Sequence, residues 1–209
     1  MKKILVAVIM AIGILTVTNA FAAPVLWSVN GHYYEAVAGK YDWSVAKRLA
    51  EGSSYLGAQG YLATLTSQAE NDWVWANMWQ SAGQSSTWRP NSYWLGGFQD
   101  PQGVEPASGW QWVTGEPWSF ANWNGGEPNN SGIDEDALNF AWNNTSQTTG
   151  TWNDISADSN NGRYGGTGTI HYKGYIVEYP VPEPMSLSLL GIGLLGAIGA
   201  GIRSRKKIK

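Results

Sequence analysis

Apolar residues at helical spacing predict two helices in the first part of the chain. The first runs from Trp43 to Glu51, with Asp42 as its N-terminal cap. Its apolar stripe consists of Val45, Ala46, Leu49 and Ala50. The second begins at Ser67, which fits a capping box with Glu70, and runs towards Trp79. Its apolar side consists of Ala69, Trp73 and Ala76.

After residue 80 the pattern changes to short apolar runs between long, polar, glycine-rich segments. These runs predict strands at residues 93–98, 110–113, 138–142, 151–155 and 174–179, and a shorter run predicts another at 61–65. Helices first and sheet later indicate an α+β domain. Loops this long inside a compact domain are usually functional or held by a bound group.

The two ends of the chain differ from the region between them. Residues 1–23 have the form of a signal peptide, with a basic start, an apolar middle and a cleavage site near Ala23. Residues 185–202 form an apolar run just long enough to cross a bilayer, and a basic tail follows. Basic clusters beside apolar spans stay on the cytoplasmic side, so we expect residues 24–180 to form one exported domain.

The region between the ends is acidic. Between residues 24 and 182 there are six Lys or Arg residues and fifteen Asp or Glu residues, a formal charge of −9. Such a domain attracts cations and repels phosphate backbones, which argues against nucleic acid as a partner. The chain has no cysteine and 13 tryptophans. We therefore expect an aromatic core to stand in for disulfides.

Oxygen-bearing side chains are concentrated between residues 127 and 154. Five of them are candidate calcium ligands, namely Glu127, Asn129, Glu135, Asn153 and Asp154. Calcium takes six to eight oxygens in flexible geometry, and three carboxylates nearly balance its charge. Pro128 predicts a fixed turn, and a cis peptide bond there would aim both neighbours at one point. Composition alone favours a solvated acidic loop over a cation site.

The order and spacing of these residues resemble the calcium and sugar site of the C-type lectins. Glu-Pro-Asn stands at 127–129, Glu135 follows eight residues after Glu127, and Trp-Asn-Asp stands at 152–154. Other motifs extend the resemblance from about Leu26 to Pro180, namely Tyr33-Tyr34, Trp43-Ser44, Leu62-Ala63-Thr64-Leu65, Trp94-Leu95-Gly96-Gly97 and Trp152-Asn153-Asp154-Ile155. The resemblance implies a C-type lectin-like fold of two helices, small antiparallel sheets and long calcium-binding loops.

The resemblance also implies a mechanism. Calcium would be held by the five candidate ligands, and Glu127, Asn129, Glu135 and Asn153 would also bond to two adjacent sugar hydroxyls. The Glu-Pro-Asn form implies mannose, glucose, fucose or N-acetylglucosamine rather than galactose. A second calcium site of the family would draw on Asp100, Glu105 and Asp136, but the loop after Asp100 is longer than usual.

Four small apolar residues stand where a typical member of the family pairs cysteines. The pairs are Ala50 with Val177 and Ala137 with Ala157. The resemblance therefore implies that packing has replaced both bridges, each worth about 2–4 kcal/mol of loop constraint. Calcium then matters more for ordering the long loops.

The C-terminal segment, residues 181–209, resembles the bacterial PEP-CTERM sorting signal. Pro182, Glu183 and Pro184 stand directly before the apolar run and the basic tail. The resemblance implies recognition by an exosortase-type protease, a transient stay in the inner membrane, and delivery to the envelope, cell surface or exopolysaccharide matrix of a Gram-negative bacterium. An ordinary membrane anchor remains the plain alternative.

Two other functions remain open at this point. A glycosidase could recruit Glu127 or Glu135 with Asp154, but carboxylates that bind calcium are poor general acids. A structural or protein-binding module could keep the fold without binding sugar, although it would not need all five ligands. Trp118, Trp123 and Trp142 are candidates for a sugar-facing surface. We therefore expect a calcium-dependent carbohydrate-binding protein rather than an enzyme.

Overall fold

A computed structural model describes residues 23–78, 93–131, 134–141, 150–157 and 174–180. Helix α1 spans Trp43–Glu51 and helix α2 spans Gln68–Asn77. Ten strands are described: β1 (Val25–Leu26), β2 (Tyr33–Ala38), β3 (Ser54–Tyr55), β4 (Ala58–Gln59), β5 (Tyr61–Leu62), β6 (Tyr93–Gln99), β7 (Trp110–Trp112), β8 (Ala137–Phe140), β9 (Trp152–Ile155) and β10 (Gly174–Tyr179). The α+β prediction is confirmed.

Eight of these strands form one sheet. Its main path runs β1-β2-β10-β6-β8-β9, with β5 added beside β10 and β7 beside β6. Every pair is antiparallel except β10 with β6, which are parallel at Gly174–Tyr93 and Tyr175–Trp94. Strands β3 and β4 form a separate hairpin. The strand that carries Asn153 and Asp154, β9, lies at one end of the path.

The sheet separates two hydrophobic clusters. Along β10, Ile176 belongs to one cluster, whereas its neighbours Tyr175 and Val177 belong to the other. This alternation is the period of two that a strand with both faces buried requires. Helix α1 packs on the face of Val177, and helix α2 packs on the face of Ile176, where most of the buried tryptophans also lie.

Gly96 explains why the Trp-Leu-Gly-Gly segment can cross the middle of the sheet. A Cβ atom at this position would lie 2.4 Å from the backbone oxygen of Leu62 and 2.9 Å from Val113 Cγ2. The Gly96 N–H donates to Ala63 O at 2.9 Å. Only a glycine allows β6 to approach this backbone so closely.

The positions where relatives would carry cysteines lie in the cluster on the α1 side. Ala50, Ala137 and Val177 are fully buried there, and Ala157 packs against the same cluster. The side chains of Trp94 and Leu62 fill the space around them. Small apolar side chains therefore pack at both pairs of positions, as the sequence predicts.

Both helices differ in detail from the prediction. Asp42 holds the N-cap position of α1 without a side-chain capping bond. On α2 the predicted apolar side is wrong, because Ala69 and Ala76 are exposed and Trp73 is only partly buried. The buried residues of α2 are instead Glu70, Asn71, Val74 and Trp75.

Glu70 is buried because its carboxylate has partners on several elements. Ser67 Oγ accepts from the Glu70 N–H at 3.2 Å, which confirms one half of the predicted capping box. The carboxylate itself accepts from the Thr66 N–H at 2.7 Å and from the Tyr34 hydroxyl. Apolar periodicity could not reveal this face, since the helix turns a charged residue inward.

Several predictions fall outside the described residues. They concern the signal peptide, the sorting motif Pro182, Glu183 and Pro184, the apolar run 185–202, and Trp142. Among the helices within the described ranges, none has the length and apolar character needed to cross a bilayer.

Candidate functional site

Three of the five predicted ligands are carboxylates that the fold brings together. Asp154 lies in β9, Glu135 lies two residues before β8, and Glu127 lies in the loop between β7 and β8. Strands β8 and β9 are paired, with Leu138 opposite Asp154. The loop that holds Glu127 folds back onto this pair, and its peptide bond to Pro128 is cis, as predicted.

Asp154 is the anchor of the loop. It is fully buried, and its Oδ2 accepts two hydrogen bonds of 2.8 Å, from the backbone N–H groups of Asn129 and Asn130. A buried carboxylate needs such donors to offset its desolvation. The bonds attach the residue after Pro128 directly to β9.

Glu135 is attached to the same loop. Its side chain is buried, and its Oε2 accepts from the Ser131 N–H at 2.7 Å. Its own N–H donates to Asn130 Oδ1 at 2.9 Å. Asn130 adopts a left-handed backbone with φ of 47°, a conformation that asparagine tolerates better than most residues. The sequence pattern did not predict Asn130 as part of this site, although its place between two candidate ligands was a signal.

The carboxylates repel one another. The pKa of Glu127 is raised to about 7, mainly by burial and also by hydrogen-bond contact with Asp154 and by the charge of Asp154. Burial is likewise the main cause of a raised pKa of about 7 at Glu135, and the Ser131 N–H acts against it. The charges of Asp154 and Glu127 add to the effect on Glu135. Above about pH 7 both glutamates ionise, and the cluster then holds more negative charge than its protein neighbours compensate.

Two oxygens of this cluster are buried and have no hydrogen-bond partner, Glu127 Oε2 and Asp154 Oδ1. When both carboxylates are ionised, neither has a proton to donate to the other, so their proximity leaves these oxygens unsatisfied. A buried anionic oxygen without a partner is costly. A cation bound between the carboxylates would remove both the repulsion and the missing contacts, so the residues present fit a calcium ion.

Amide side chains complete the predicted set. Asn129 is exposed, and its side chain hydrogen-bonds to Glu127 and lowers the pKa of that carboxyl. Asn153 Nδ2 donates to the backbone oxygen of Asp154 at 2.6 Å. In the described part of the chain, no three His, Asp or Glu side chains form a ready-made metal cluster. The amide oxygens of Asn129 and Asn153 are the further oxygen donors that the predicted set includes.

Two of the three residues predicted for a second calcium site have other hydrogen-bond partners in the described structure. Asp100 Oδ1 accepts from the Gln102 N–H at 2.8 Å, and its Oδ2 accepts from Gln111 at 3.3 Å. Asp136 Oδ1 accepts from the Ala157 N–H at 3.3 Å, and Glu105 is exposed. The second site stays a prediction from the sequence.

Aromatic residues pack around Trp152 of β9, next to the candidate ligands Asn153 and Asp154. Trp152 is fully buried and lies in ring contact with Trp118, Phe120 and Trp123, at centroid distances of 5.8, 5.4 and 6.0 Å. These three rings are partly buried against the core cluster on the α2 side. Trp118 and Trp123, proposed above as sugar-facing, thus form part of the packing under the site.

Solved structures with a similar fold were compared with this one. The lectin CEL-I of Cucumaria echinata, described as a C-type lectin, aligns with a TM-score of 0.55 and 22% identity, over 77% of this chain and 99% of its own. The EPNH mutant of CEL-I aligns with a TM-score of 0.52 and 25% identity, over 72% of this chain and 91% of its own. This domain has the C-type lectin-like fold.

Sequence comparisons agree with the lectin-like domain. Halomucin of Haloquadratum walsbyi is 33% identical over 72% of this chain. C-type lectin domain family 4 member G of Homo sapiens is 37% identical over 34% of the chain, and ladderlectin of Oncorhynchus mykiss is 32% identical over 54%. The chain spans 1%, 22% and 50% of these relatives, respectively. No protein-family model matches the chain.

Proposed function

We propose that this lectin-like domain binds carbohydrate in a calcium-dependent manner. The observation that carries the proposal is the carboxylate cluster of Glu127, Glu135 and Asp154, in which two buried oxygens have no partner. A structural module with no ligand would gain nothing from three mutually repelling carboxylates. Two of the similar proteins are lectins by name, CEL-I and ladderlectin, which supports binding rather than catalysis.

The chain's own residues would hold the sugar in a way that follows from their chemistry. A bound calcium ion would supply coordination sites for two adjacent hydroxyls. Glu127 and Glu135 accept hydrogen bonds, whereas the Asn129 and Asn153 amides also donate them. Each hydroxyl could then donate to a carboxylate and accept from an amide. Asn129 is exposed on this surface, where a ligand can reach it.

The finer parts of the proposal rest on the sequence. Glu-Pro-Asn at 127–129 supports mannose, glucose, fucose or N-acetylglucosamine as the sugar. The signal peptide of residues 1–23 supports export, and Pro182, Glu183 and Pro184 with the following apolar run support sorting by an exosortase-type protease. We propose delivery to the envelope or exopolysaccharide matrix of a Gram-negative bacterium.

A glycan array probed with and without a calcium chelator tests the proposal. We expect the purified protein to bind mannose- or glucose-type glycans in calcium and to lose that binding in chelator. Binding that survives chelation would contradict the calcium mechanism. If the protein binds other proteins but binds no glycan, with or without chelator, the protein-binding alternative is favoured instead.

A double variant tests the residues assigned to the sugar-binding site. The double substitution Glu127→Gln with Asn129→Asp exchanges the donor and acceptor at two positions while keeping the size of both side chains. We expect a shift away from the parent's sugar preference, towards galactose-type glycans. The control is Asp134→Asn, because Asp134 is exposed in the same loop. New reducing ends after incubation with oligosaccharide would instead indicate a glycosidase.

A further inference from the structure

Asn71 is a polar residue in the apolar face of α2. Its side chain is fully buried, and Val74 and Trp75 are buried on the same helix. An amide in such a place costs free energy unless its polar atoms are paired. Both of them are paired, and both partners lie at the start of β9.

The two partners determine the orientation of the amide. Asn71 Oδ1 accepts from Trp152 Nε1 at 2.7 Å, and Asn71 Nδ2 donates to the Gly150 backbone oxygen at 3.1 Å. The indole nitrogen can only donate and the carbonyl can only accept. Asn71 therefore clamps the chain at both sides of Thr151, immediately before the ligands of β9.

The clamped segment also holds the other ligand-bearing loop. The Gly150 oxygen accepts a second bond, from Asn122 Nδ2 at 3.1 Å. The Trp152 N–H donates to Asn122 O at 2.8 Å, and the Asn124 N–H donates to Trp152 O at 2.8 Å. The Glu127 N–H in turn donates to Asn124 O at 2.9 Å. Hydrogen bonds thus run without a break from α2 to the backbone of Glu127.

Packing reinforces the same junction. Gly150 has a φ of +46°, and a Cβ atom there would lie 2.8 Å from Trp75 Cβ and Cγ on α2. The segment before β9 is therefore pressed against two consecutive turns of the helix. The position of this segment on α2 therefore affects where Asp154 and Asn153 lie relative to Glu127.

We infer that Asn71 is a positioning residue for the calcium site, acting through Trp152 and Gly150; the inference rests on the proposed function. Asn71 does not contact the proposed ligands. It sets the register between the two segments that carry them, one ending at Glu127 and the other at Asp154. Groups that orient metal ligands typically change metal affinity about 10–100-fold when they are removed.

Calcium titration of the full chain by calorimetry tests this inference. We expect Asn71→Ala to raise the Kd for calcium about tenfold or more. The matched control is Val74→Ala, on the same buried face of α2 and in the same core cluster. We expect Val74→Ala to lower the melting temperature but to leave the Kd within about twofold, because it breaks no hydrogen bond to the site.

Trp152→Phe removes the indole N–H and keeps an aromatic ring. The Kd for calcium is measured for this variant alone and combined with Asn71→Ala. Either single change breaks the same bond, so we expect the double variant to raise the Kd no further than the larger single effect. If Asn71→Ala is not recovered folded, Trp152→Phe alone decides: an unchanged Kd overturns the inference.

The outcomes separate the two proposals. A parent protein that binds no calcium overturns the proposed function and the positioning role together. A parent that binds calcium with the same Kd as Asn71→Ala overturns only the positioning role. A shift in Kd that Val74→Ala reproduces overturns it as well, because the effect would then come from lost stability alone.

Discussion

Glu127 lies in an arrangement that destabilises the cation-free fold and that the proposed function would use. Its carboxylate lies within hydrogen-bond contact of Asp154, and its Oε2 is buried without a partner. In the absence of a cation this arrangement costs free energy, whereas in the presence of one it becomes the source of affinity. The two effects have opposite signs and are therefore separable by experiment.

We expect Glu127→Gln to stabilise the calcium-free protein near pH 8 by about 1 kcal/mol, after discounting for partial exposure, because it removes a like charge beside Asp154. The same substitution should weaken calcium binding and shrink the rise in melting temperature that calcium causes. Thermal unfolding in chelator and in calcium measures both. Asp134→Asn, on an exposed residue of the same loop, should change neither. A calcium-free variant less stable than the parent would contradict the repulsion.

His32, just before β2, provides a second test at the residue scale. Its Nδ1 lies 2.6 Å from Glu178 Oε1, and this hydrogen bond is the main cause of its raised pKa. The charges of Glu178, Glu70 and Glu116 raise it further, against the effect of burial. A raised pKa means that the protonated imidazole stabilises the fold below its usual pKa of 6.5, and that this contribution disappears as pH rises through the folded value.

We therefore expect His32→Gln to destabilise the protein at about pH 5.5 by roughly 1 kcal/mol and to have little effect at about pH 9. The difference in melting temperature between parent and variant, measured in chelator across this range, gives the result. Carboxylates of the proposed calcium site also titrate in this window, but they are present in both proteins and cancel. A difference that grows towards high pH would contradict the assignment.

Residue types in a fixed order were enough to propose the candidate site. Glu127, Asn129, Glu135, Asn153 and Asp154 were all chosen because oxygen donors recur there at a family-like spacing. Asn71 and Asn130 were not assigned to the site, because their roles depend on the groups that they meet in space. A buried asparagine in a helix looks the same in sequence as an exposed one.

At the scale of elements, the boundary of α1 was predicted to the residue, whereas the buried side of α2 was not. In α1 the small apolar residues Ala46 and Ala50 face the sheet, as periodicity requires. In α2 the inward face carries Glu70 and Asn71, whose partners come from distant elements. The parallel pairing of β6 with β10 could not be predicted from the sequence either, because it joins residues about 80 positions apart.

Packing between α1 and β10 offers a test of the lost disulfides. We expect Ala50→Cys with Val177→Cys to form a bridge in oxidising buffer and to stabilise the fold by about 2–4 kcal/mol. The melting temperature with and without reductant measures the gain. Ala50→Cys alone is the control and should show no response to reductant. Free thiols in the oxidised double variant would contradict the correspondence between these positions and the cysteines of relatives.

At the scale of the whole molecule, the domain divides into a part held by its core and a part held by polar contacts. Strands β2 and β10 pair over six residues. The segment from Asn129 to Ser131, by contrast, is tied down through backbone bonds to Asp154 and Glu135. Calcium removal should therefore act unevenly across the fold.

Hydrogen exchange of backbone amides checks this expectation. In chelator we expect the N–H groups of Asn129, Asn130 and Ser131 to exchange at least about tenfold faster than in calcium, because the carboxylates that accept their bonds then repel one another. Amides of β2 and β10 serve as the internal control and should change little. A uniform change across the domain, or no change in the loop, would contradict a local role for the ion.

The alanines and valine that occupy the cysteine positions have a consequence for where the protein can mature. With no thiol in the chain, folding consumes no oxidant and needs no disulfide isomerase. The redox poise of a compartment is therefore irrelevant to whether the core assembles. If the proposed function holds, divalent-ion concentration is the variable that distinguishes the cytoplasm from the outside for this protein, so it would reach its working state only after leaving the cell.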